Sequence, residues 1–213
     1  MNWLTKFIKA SEKIKTAIRK RASKSEIAAS KYMSCHGVPV EKKIIEQNNF
    51  VCPECNRHHF LSPSQRFNMM FGENNWKEIK GAMVKDIDPY KWEDTKKYTD
   101  RLADAKKKTG QDCAILSCEA KINDIDIVVS AVNFSWIGGS ISMNEGENVL
   151  KSVQTAIDKK CPYIFFSGSG GMRMMTNMLS LMQMTRMTIA INELKKNNLP
   201  YIVVVASPST GGL

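Results

Sequence analysis

Three short glycine-containing segments could stabilise a negative charge with their backbone N–H groups. They are Ile137-Gly138-Gly139-Ser140, Ser167-Gly168-Ser169-Gly170-Gly171 and Thr210-Gly211-Gly212. Glycine lets the chain turn sharply and lets another group approach the backbone closely. The second segment is predicted to lie directly before a long helix, whose first N–H groups have no intrahelical partner. The pattern predicts either a phosphate site or an oxyanion hole for an enolate or a tetrahedral intermediate.

The surrounding residues favour neither a nucleotide site nor a hydrolase. The GxGxxG fingerprint is not matched, and no Gly-Lys-Ser or Gly-Lys-Thr follows. Ser167 and Ser169 could be nucleophiles, but no histidine follows His59, which disfavours a Ser-His pair. A glycine turn can also be purely structural. A functional role is favoured because all three segments follow predicted parallel strands, whose carboxyl ends are where such sheets bind ligands.

A group of cysteines nearer the N-terminus is typical of a metal site. Cys52-Pro53-Glu54-Cys55 is a CxxC motif, and Cys35 lies seventeen residues upstream of it. This is the outline of a zinc ribbon, in which four ligands surround one ion. The predicted metal ligands are Cys35, Cys52 and Cys55.

The outline of the ribbon lacks its fourth thiolate. Tyr32 stands where the upstream motif would have its first cysteine, so a histidine would have to complete the ligand set. The candidates are His36, His58 and His59, although His36 directly adjoins Cys35. The alternative is a ribbon that folds without metal by packing three apolar side chains, those of Val51, Phe60 and Leu61.

The elements that position the glycine segments alternate between strand and helix. Strands are predicted at 125–132, 163–166 and 201–205, and helices around 149–157 and 172–196, while residues 61–112 are predicted to be mainly helical. The alternation predicts a parallel α/β sheet with right-handed crossovers. One face of the long helix carries a stripe that is interpreted as core, or alternatively as an adaptable contact surface. The stripe consists of Met175, Met178, Leu179 and Met182.

Charge and composition set the remaining limits. Residues 1–31 carry +7 of the net charge of +10, and the first 22 of them have the spacing of a basic amphipathic helix. This arm could dock on a partner subunit, lie on a membrane surface or nucleic acid, or serve as a transit peptide. No apolar run approaches the roughly 18 residues of a membrane span. Six cysteines without a secretory signal predict a cytoplasmic protein.

Together these motifs resemble the carboxyltransferase β-subunit family of bacterial-type acetyl-coenzyme A carboxylase. The most specific match is Phe166-Ser167-Gly168-Ser169-Gly170-Gly171-Met172-Arg173-Met174, and residues 1–4, 94–102, 179–184, 199–201 and 208–212 match in the same order. The resemblance implies an α/β fold: a crotonase-like domain of repeated strand-strand-helix units at 61–213. A zinc-ribbon-like module at 32–60 and the basic arm at 1–31 would precede it.

The resemblance also implies a reaction. A carboxyl group would pass from carboxybiotin on a carrier protein to acetyl-coenzyme A, giving malonyl-coenzyme A for fatty acid synthesis. Gly170 and Gly171 would stabilise the thioester enolate. The implied substrate-binding residues are Gly138, Gly139, Ser140, Gly211 and Gly212, with Lys97 and Arg101 as phosphate partners. The implied partners are the carboxyltransferase α subunit, the biotin carboxyl carrier protein and, in the full complex, biotin carboxylase.

The sequence also departs from the family pattern. Residues 142–145 replace a small, apolar stretch, Ser207 stands at an aspartate position, and one extra residue separates Cys35 from Cys52. Family members continue well past the Thr-Gly-Gly segment, so we expect this chain to be an incomplete domain that is inactive alone. Two alternatives remain open. One is a nucleic-acid-binding module built on the ribbon and the basic arm, and the other is a non-catalytic scaffold.

Overall fold

The computed structural model describes residues 31–210. The chain divides into two compact units, with the boundary between Phe60 and Leu61. The basic arm predicted at 1–31 lies outside the described residues except for Lys31, and Gly211 and Gly212 also lie outside them. Within residues 31–210, every helix is too short or too polar to span a lipid bilayer.

The first unit is a hairpin followed by a short helix. Strands β1 (Tyr32–Cys35) and β2 (Val38–Glu41) are antiparallel, and α1 (Lys42–Gln47) follows them. The turn between the strands contains two residues with positive φ, which are His36 at 45° and Gly37 at 85°.

The core of the first unit differs from the one predicted for a metal-free ribbon. Its buried members are Cys35, Ile45 and Cys52. Phe60 is 71% exposed, and Leu61 belongs to the second unit. A core this small, two of whose three members are cysteines, gives little apolar burial to stabilise the unit.

The second unit is built on a five-stranded sheet in the order β3-β4-β5-β6-β7. The strands are β3 (Trp76–Ile79), β4 (Ile115–Ile122), β5 (Ile125–Val132), β6 (Tyr163–Ser167) and β7 (Tyr201–Val205). β5, β6 and β7 are parallel, which confirms the predicted arrangement for these three strands. β3 and β4 are antiparallel to their neighbours, so the sheet is mixed and extends beyond the three strands for which a parallel arrangement was predicted.

A tight hairpin explains the antiparallel edge. Asn123 and Asp124 join β4 to β5, and their φ angles are 48° and 65°. Two-residue hairpins of this kind need positive φ, which Asn and Asp tolerate better than most side chains. Two of the five strands, β3 and β4, were not predicted from the sequence, and the polar β3 (Trp76–Ile79) lies within a stretch predicted to be helical.

Helices pack on both faces of the sheet, although residues 202–205 of β7 stay exposed. The helices of the second unit are α2 (Pro63–Phe71), α3 (Tyr98–Thr109), α4 (Met143–Lys159) and α5 (Asn177–Lys196). One core cluster joins Val128 and Val132 of β5 to Val149 and Val153 of α4 and to Leu194 of α5. In a second core cluster, Phe67 of α2 packs together with Val129 of β5. Burying each side chain of this kind contributes about 1.5–3 kcal/mol to folding stability. This packing holds in place the strand ends that carry the glycine segments.

The long helix begins later than predicted. α5 starts at Asn177 instead of near Met172, because Met172 pairs with Ile141 in a parallel bridge and Met174–Thr176 form a 3₁₀ turn. The glycine segment after β6 therefore does not adjoin a helix N-terminus. The expectation that unpaired helical N–H groups serve this segment is wrong.

Two of the four residues of the predicted apolar stripe are exposed, and the other two, Met175 and Leu179, are half-buried. Met178 and Met182 are 59% and 52% exposed, whereas the buried residues of this helix are Ser180, Gln183 and Leu194. The core interpretation is wrong for these two methionines. The alternative, an adaptable contact surface, fits their exposure.

Candidate functional site

The glycine segments that follow β5 and β6 lie against each other. We call residues 137–140 the first corner and residues 167–171 the second corner. The Gly170 N–H donates to Gly138 O at 2.8 Å, and the Ser169 hydroxyl donates to Gly139 O at 2.7 Å. The Thr210 N–H donates to Ser169 O at 3.0 Å, so the segment after β7 reaches the same place. The structure thus brings together the ends of all three parallel strands.

The backbones at the two corners approach too closely for larger residues. A Cβ atom on Gly139, whose φ is +65°, would lie 2.7 Å from Gly168 O and 2.9 Å from a methyl carbon of Val132. A Cβ atom on Gly170 would lie 3.1 Å from Gly138 O. Gly171 has φ +95°, a conformation that costs other residues steric strain. The contact between the corners depends on these glycines.

The two predicted oxyanion donors already have acceptors within the chain. Gly170 is exposed and donates to Gly138 O, while Gly171 is buried and donates to Ser169 Oγ at 2.9 Å. A ligand oxygen would have to replace these acceptors. Because the Ser169 hydroxyl spans the two corners, it has a structural role.

No side chain of the second unit is set up as an activated nucleophile in the described residues. Ser167 Oγ lies 3.2 Å from Ser209 Oγ, and residues 61–213 contain no histidine to act as its base. Burial raises the pKa of Cys113 and of Cys118 to about 12, so both thiols stay protonated near neutral pH. The chemistry available at the corners is therefore that of the backbone.

A buried ion pair that the sequence analysis did not predict lies beside the corners. Arg173 Nη2 is 2.7 Å from Glu145 Oε1, and the two side chains are 1% and 0% exposed. Arg173 also donates from Nη2 to Ser140 O at 2.5 Å, from Nε to Ser140 Oγ at 3.1 Å and from Nη1 to Tyr98 Oη at 3.0 Å. Removing one partner of a buried pair typically costs about 3–5 kcal/mol.

Both oxygens of the Glu145 carboxylate accept hydrogen bonds. Oε1 accepts the Ala114 N–H and Oε2 accepts the Ser142 N–H, both at 2.9 Å. Burial alone would lower the pKa of Arg173, but Glu145 and Tyr98 together raise it above its ordinary value, so Arg173 stays charged. A capping-box pattern, Ser142 with Glu145 three residues later, was the sequence signal for the position of Glu145. Nothing in the sequence linked it to Arg173.

The two predicted phosphate partners have different surroundings. Lys97 is exposed at the start of α3 and lines an open cleft of about 460 Å³. The charged side chains of this cleft are three lysines and three acids: Lys85, Lys91, Lys97, Asp86, Asp88 and Glu93. Arg101 instead donates to Asp94 Oδ1 at 2.5 Å and thereby lowers the pKa of that carboxyl. The next residue after Lys97 is Tyr98, whose hydroxyl contacts Arg173, so this end of α3 is tied to the network at the corners.

In the first unit, the predicted cysteine ligands come together with one histidine. The ligand atoms of Cys35, His36, Cys52 and Cys55 all lie within 4.8 Å of one another. Cys35 Sγ is 3.5 Å from Cys55 Sγ, and Cys52 Sγ is 3.9 Å from His36 Nδ1. This cluster could hold a metal ion. His58 and His59 do not belong to it.

Local backbone geometry resolves the crowding expected of neighbouring ligands. The positive φ of His36 turns the chain directly after Cys35, and His36 Nε2 contacts Glu54 Oε2 at 2.9 Å. Burial raises the pKa of Cys35 to about 11, whereas the backbone N–H of Cys55 is the main cause that lowers the pKa of Cys52 to about 7.

Comparison with known proteins identifies relatives along the whole chain. Residues 93–213 match the sequence profile of a family described as the carboxyl transferase domain. The chain is 50% identical over 213 residues to the acetyl-coenzyme A carboxylase carboxyl transferase subunit beta of Pelagibacter ubique and covers 69% of that protein. It is 39% identical, again over 213 residues, to the protein of the same name from Bartonella quintana and covers 68% of it.

Solved structures share the fold at low sequence identity. The beta subunit of geranyl-CoA carboxylase from P. aeruginosa superposes with a TM-score of 0.52 at 19% identity, covering 80% of this chain and 30% of that one. Transcarboxylase 12S with bound methylmalonyl-coenzyme A gives 0.51 at 20% identity, covering 68% of this chain and 25% of that one. On the full-length sequence match and the domain match, the chain belongs to the family of acetyl-coenzyme A carboxylase carboxyl transferase beta subunits.

Proposed function

We propose that the protein transfers the carboxyl group of carboxybiotin to acetyl-coenzyme A, and that the two glycine corners stabilise the enolate of the thioester. The observation that carries this proposal is the contact between the corners at the ends of neighbouring parallel strands. It occurs in a chain that matches acetyl-coenzyme A carboxylase beta subunits along its whole length.

The reaction needs a site for an anion more than it needs a side-chain nucleophile. Acetyl-coenzyme A loses a methyl proton, and the electron pair of the broken C–H bond places negative charge on the thioester oxygen. The nitrogen of carboxybiotin takes this proton as its C–N bond to the carboxyl group breaks, and the methyl carbon then forms a bond to the released carboxyl carbon. Malonyl-coenzyme A and biotin are the products.

We assign the stabilisation of the thioester oxygen to the N–H groups of Gly170 and Gly171. Their present acceptors are a carbonyl and a hydroxyl, Gly138 O and Ser169 Oγ. An anionic oxygen is a stronger acceptor than either, so it would replace them as charge develops. Such an interaction is made mainly in the transition state, and one donor is typically worth about 10²–10³ in rate.

The first corner would line the acyl end of the coenzyme. Gly138, Gly139 and Ser140 are assigned this role because they form the opposite wall of the contact with the second corner. Gly211 and Gly212 keep the same proposed role, although they lie outside the described residues.

Lys97 is the proposed phosphate partner of the coenzyme. It is exposed, makes no ion pair among residues 31–210 and lies next to Tyr98, which contacts Arg173 at the corners. Arg101 is a weaker candidate because Asp94 already balances its charge.

The proposed partners are a carboxyltransferase α subunit, a biotin carboxyl carrier protein and biotin carboxylase, in a cytoplasmic complex. The exposed methionines of α5 support a partner surface on the second unit. The six free cysteines suit a reducing compartment.

We further propose that the cluster in the first unit binds zinc through Cys35, His36, Cys52 and Cys55. Tetrahedral zinc with bonds of about 2.0–2.3 Å separates its ligand atoms by about 3.6–3.8 Å. Two of the separations within the cluster, 3.5 Å and 3.9 Å, are close to these values, and the others are no longer than 4.8 Å. Glu54 would orient the histidine through its other ring nitrogen, as carboxylates commonly do. The ion would supply structural stability to a unit with a small core.

The test of the function is Gly171→Ala in the full-length protein assembled with its partners. The added Cβ strains the backbone at φ +95° and displaces the proposed donor, so malonyl-coenzyme A formation should fall about 10²–10³-fold. Gly168→Ala is the matched control, because its Cβ would meet only Ala206 Cβ at an ordinary 3.8 Å. An unchanged rate in Gly171→Ala would contradict the proposal and favour a non-catalytic scaffold.

A further inference from the structure

Arg173 is among the largest fully buried side chains of the described residues, and no step of the proposed reaction uses it. It lies two residues beyond the second corner. Its backbone N–H donates to Ile141 O at 2.8 Å, directly after the first corner, and the Ile141 N–H donates to Gly171 O at 2.9 Å. The residue is therefore attached to both corners through the main chain as well as through its guanidinium.

The guanidinium has partners on three separate elements. Ser140 ends the first corner, Glu145 lies in the first turn of α4, and Tyr98 begins α3. A planar guanidinium can serve all three at once because its donors point outward in a fixed fork, which a lysine ammonium cannot reproduce.

The contact with Ser140 extends into the corners. The Ser140 hydroxyl donates to Ile137 O at 2.8 Å and so closes the turn that contains Gly138 and Gly139. The carbonyl oxygens of those two glycines accept the hydrogen bonds from Gly170 and Ser169. A displacement of Ser140 would therefore move the acceptors that hold the second corner.

The ion pair is hard to explain by stability alone. Buried pairs can often be replaced by apolar side chains of similar volume without loss of stability. An apolar side chain could fill the same space, but it would leave Ser140 without the two donors that hold its carbonyl and its hydroxyl.

We propose that Arg173 is a positioning residue that fixes the first corner against the second through Ser140, while Glu145 and Tyr98 hold its guanidinium in place. The mechanistic part of this inference rests on the proposed function. The geometric part concerns only the contact between the corners.

The experiment is Arg173→Lys in the full-length protein assembled with its partners. Lysine keeps a cation beside Glu145 and loses the fork. Amide hydrogen exchange in peptides covering 138–141 and 168–173 should quicken by about tenfold or more, because the local opening free energy falls. Exchange at Val128, which donates to Pro162 O in the sheet, should stay at the wild-type rate. The kcat should fall about 10²-fold with the KM for acetyl-coenzyme A unchanged, as expected for misplacement of reacting groups.

Arg186→Lys is the matched control. Arg186 on α5 also pairs with a glutamate of α4, Glu147, at 2.6 Å, and its other hydrogen bond goes to Gln183. This variant should change neither the exchange at the corners nor kcat. If Arg173→Lys does not fold, the double variant Glu145→Met with Arg173→Met, which leaves no unpaired buried charge, is measured by the same criteria.

The outcomes separate this inference from the proposed function. Wild-type exchange at the corners in the Arg173 variant would overturn the positioning role, whatever the activity. The positioning role would also be overturned if Arg173→Lys lowered kcat by no more than Arg186→Lys does. A wild-type assembly that forms no malonyl-coenzyme A would refute the proposed function, and the exchange measurement would still decide whether Arg173 fixes the corners.

Discussion

Lys97 directly precedes α3 and Arg101 lies about one turn further along the chain, and the two differ in how their charges are balanced. Lys97 projects beside an open cleft, whereas Arg101 is held by Asp94 and lies 5.9 Å from the ring of Trp92. A cation that is already paired gains less from a phosphate than an unpaired one, because its present partner must first be displaced.

This difference gives a prediction for coenzyme binding. Lys97→Met should raise the KM for acetyl-coenzyme A by about threefold to tenfold and leave kcat nearly unchanged, since an exposed phosphate contact is worth about 1 kcal/mol. Arg101→Met is the comparison and should have a smaller effect on KM. The effect of Lys97→Met should shrink at high salt. Equal KM values for the wild type and Lys97→Met at low salt would remove Lys97 from the site.

Single residues of the site differed in how far the sequence could predict them. The glycine segments were found because glycine before and after apolar runs has a known conformational meaning. The Arg173–Glu145 pair was missed because its members are 28 positions apart and only tertiary folding brings them together. His36 was considered awkward beside Cys35, and the positive φ that allows it to join the cluster cannot be recognised from one sequence.

At the level of elements, the first unit depends on its cluster more than on its core. We expect about one zinc ion per chain. Removing it with a chelator should unfold residues 31–60 and expose Cys35 and Cys52 to thiol reagents, while the sheet of the second unit stays protected from amide exchange. A folded sample that contains no zinc would refute the metal site.

Two histidines of the first unit provide the matched variants for that experiment. His36→Ala should lose zinc to a competing chelator that the wild type withstands, whereas His58→Ala should retain it, because His58 lies outside the cluster. Glu54→Gln should weaken zinc binding by about 10–100-fold, the usual effect of removing a group that orients a ligand. Zinc loss in His58→Ala but not in His36→Ala would show that His36 is not the fourth ligand.

The strands show where local sequence is a sufficient guide. β5, β6 and β7 were predicted because each is a short apolar run rich in β-branched or aromatic residues, whereas β4 and β3 were not predicted. β3 was missed because its exposed edge is polar, with Lys77 and Glu78 on the outside. α5 was predicted five residues too long at its start, since the pairing of Met172 with Ile141 is a long-range contact that competes with helix formation.

At the level of the whole molecule, the exposed side of α5 predicts dependence on a partner. Met178→Lys with Met182→Lys should weaken assembly with the α subunit by about 10-fold to 100-fold, because the exposed parts of the two methionines together equal about one apolar side chain, whose full burial contributes about 1.5–3 kcal/mol. Gln154→Lys adds one lysine at an exposed position of α4, half the charge added by the double variant, and should leave assembly unchanged. Co-purification and sedimentation would measure this. Normal assembly of the double variant would show that this side of α5 does not contact the partner.

The contact between the first and second corners has a consequence for inhibition. A compound that binds the N–H groups of Gly170 and Gly171 would use backbone atoms that every residue except proline has. Most substitutions at these two positions therefore could not cause resistance by removing the donor. Resistance would require added bulk nearby. At Gly139, however, the first extra carbon would already lie 2.7 Å from Gly168 O. A mutation that shuts out the drug there would also damage the enzyme that it protects.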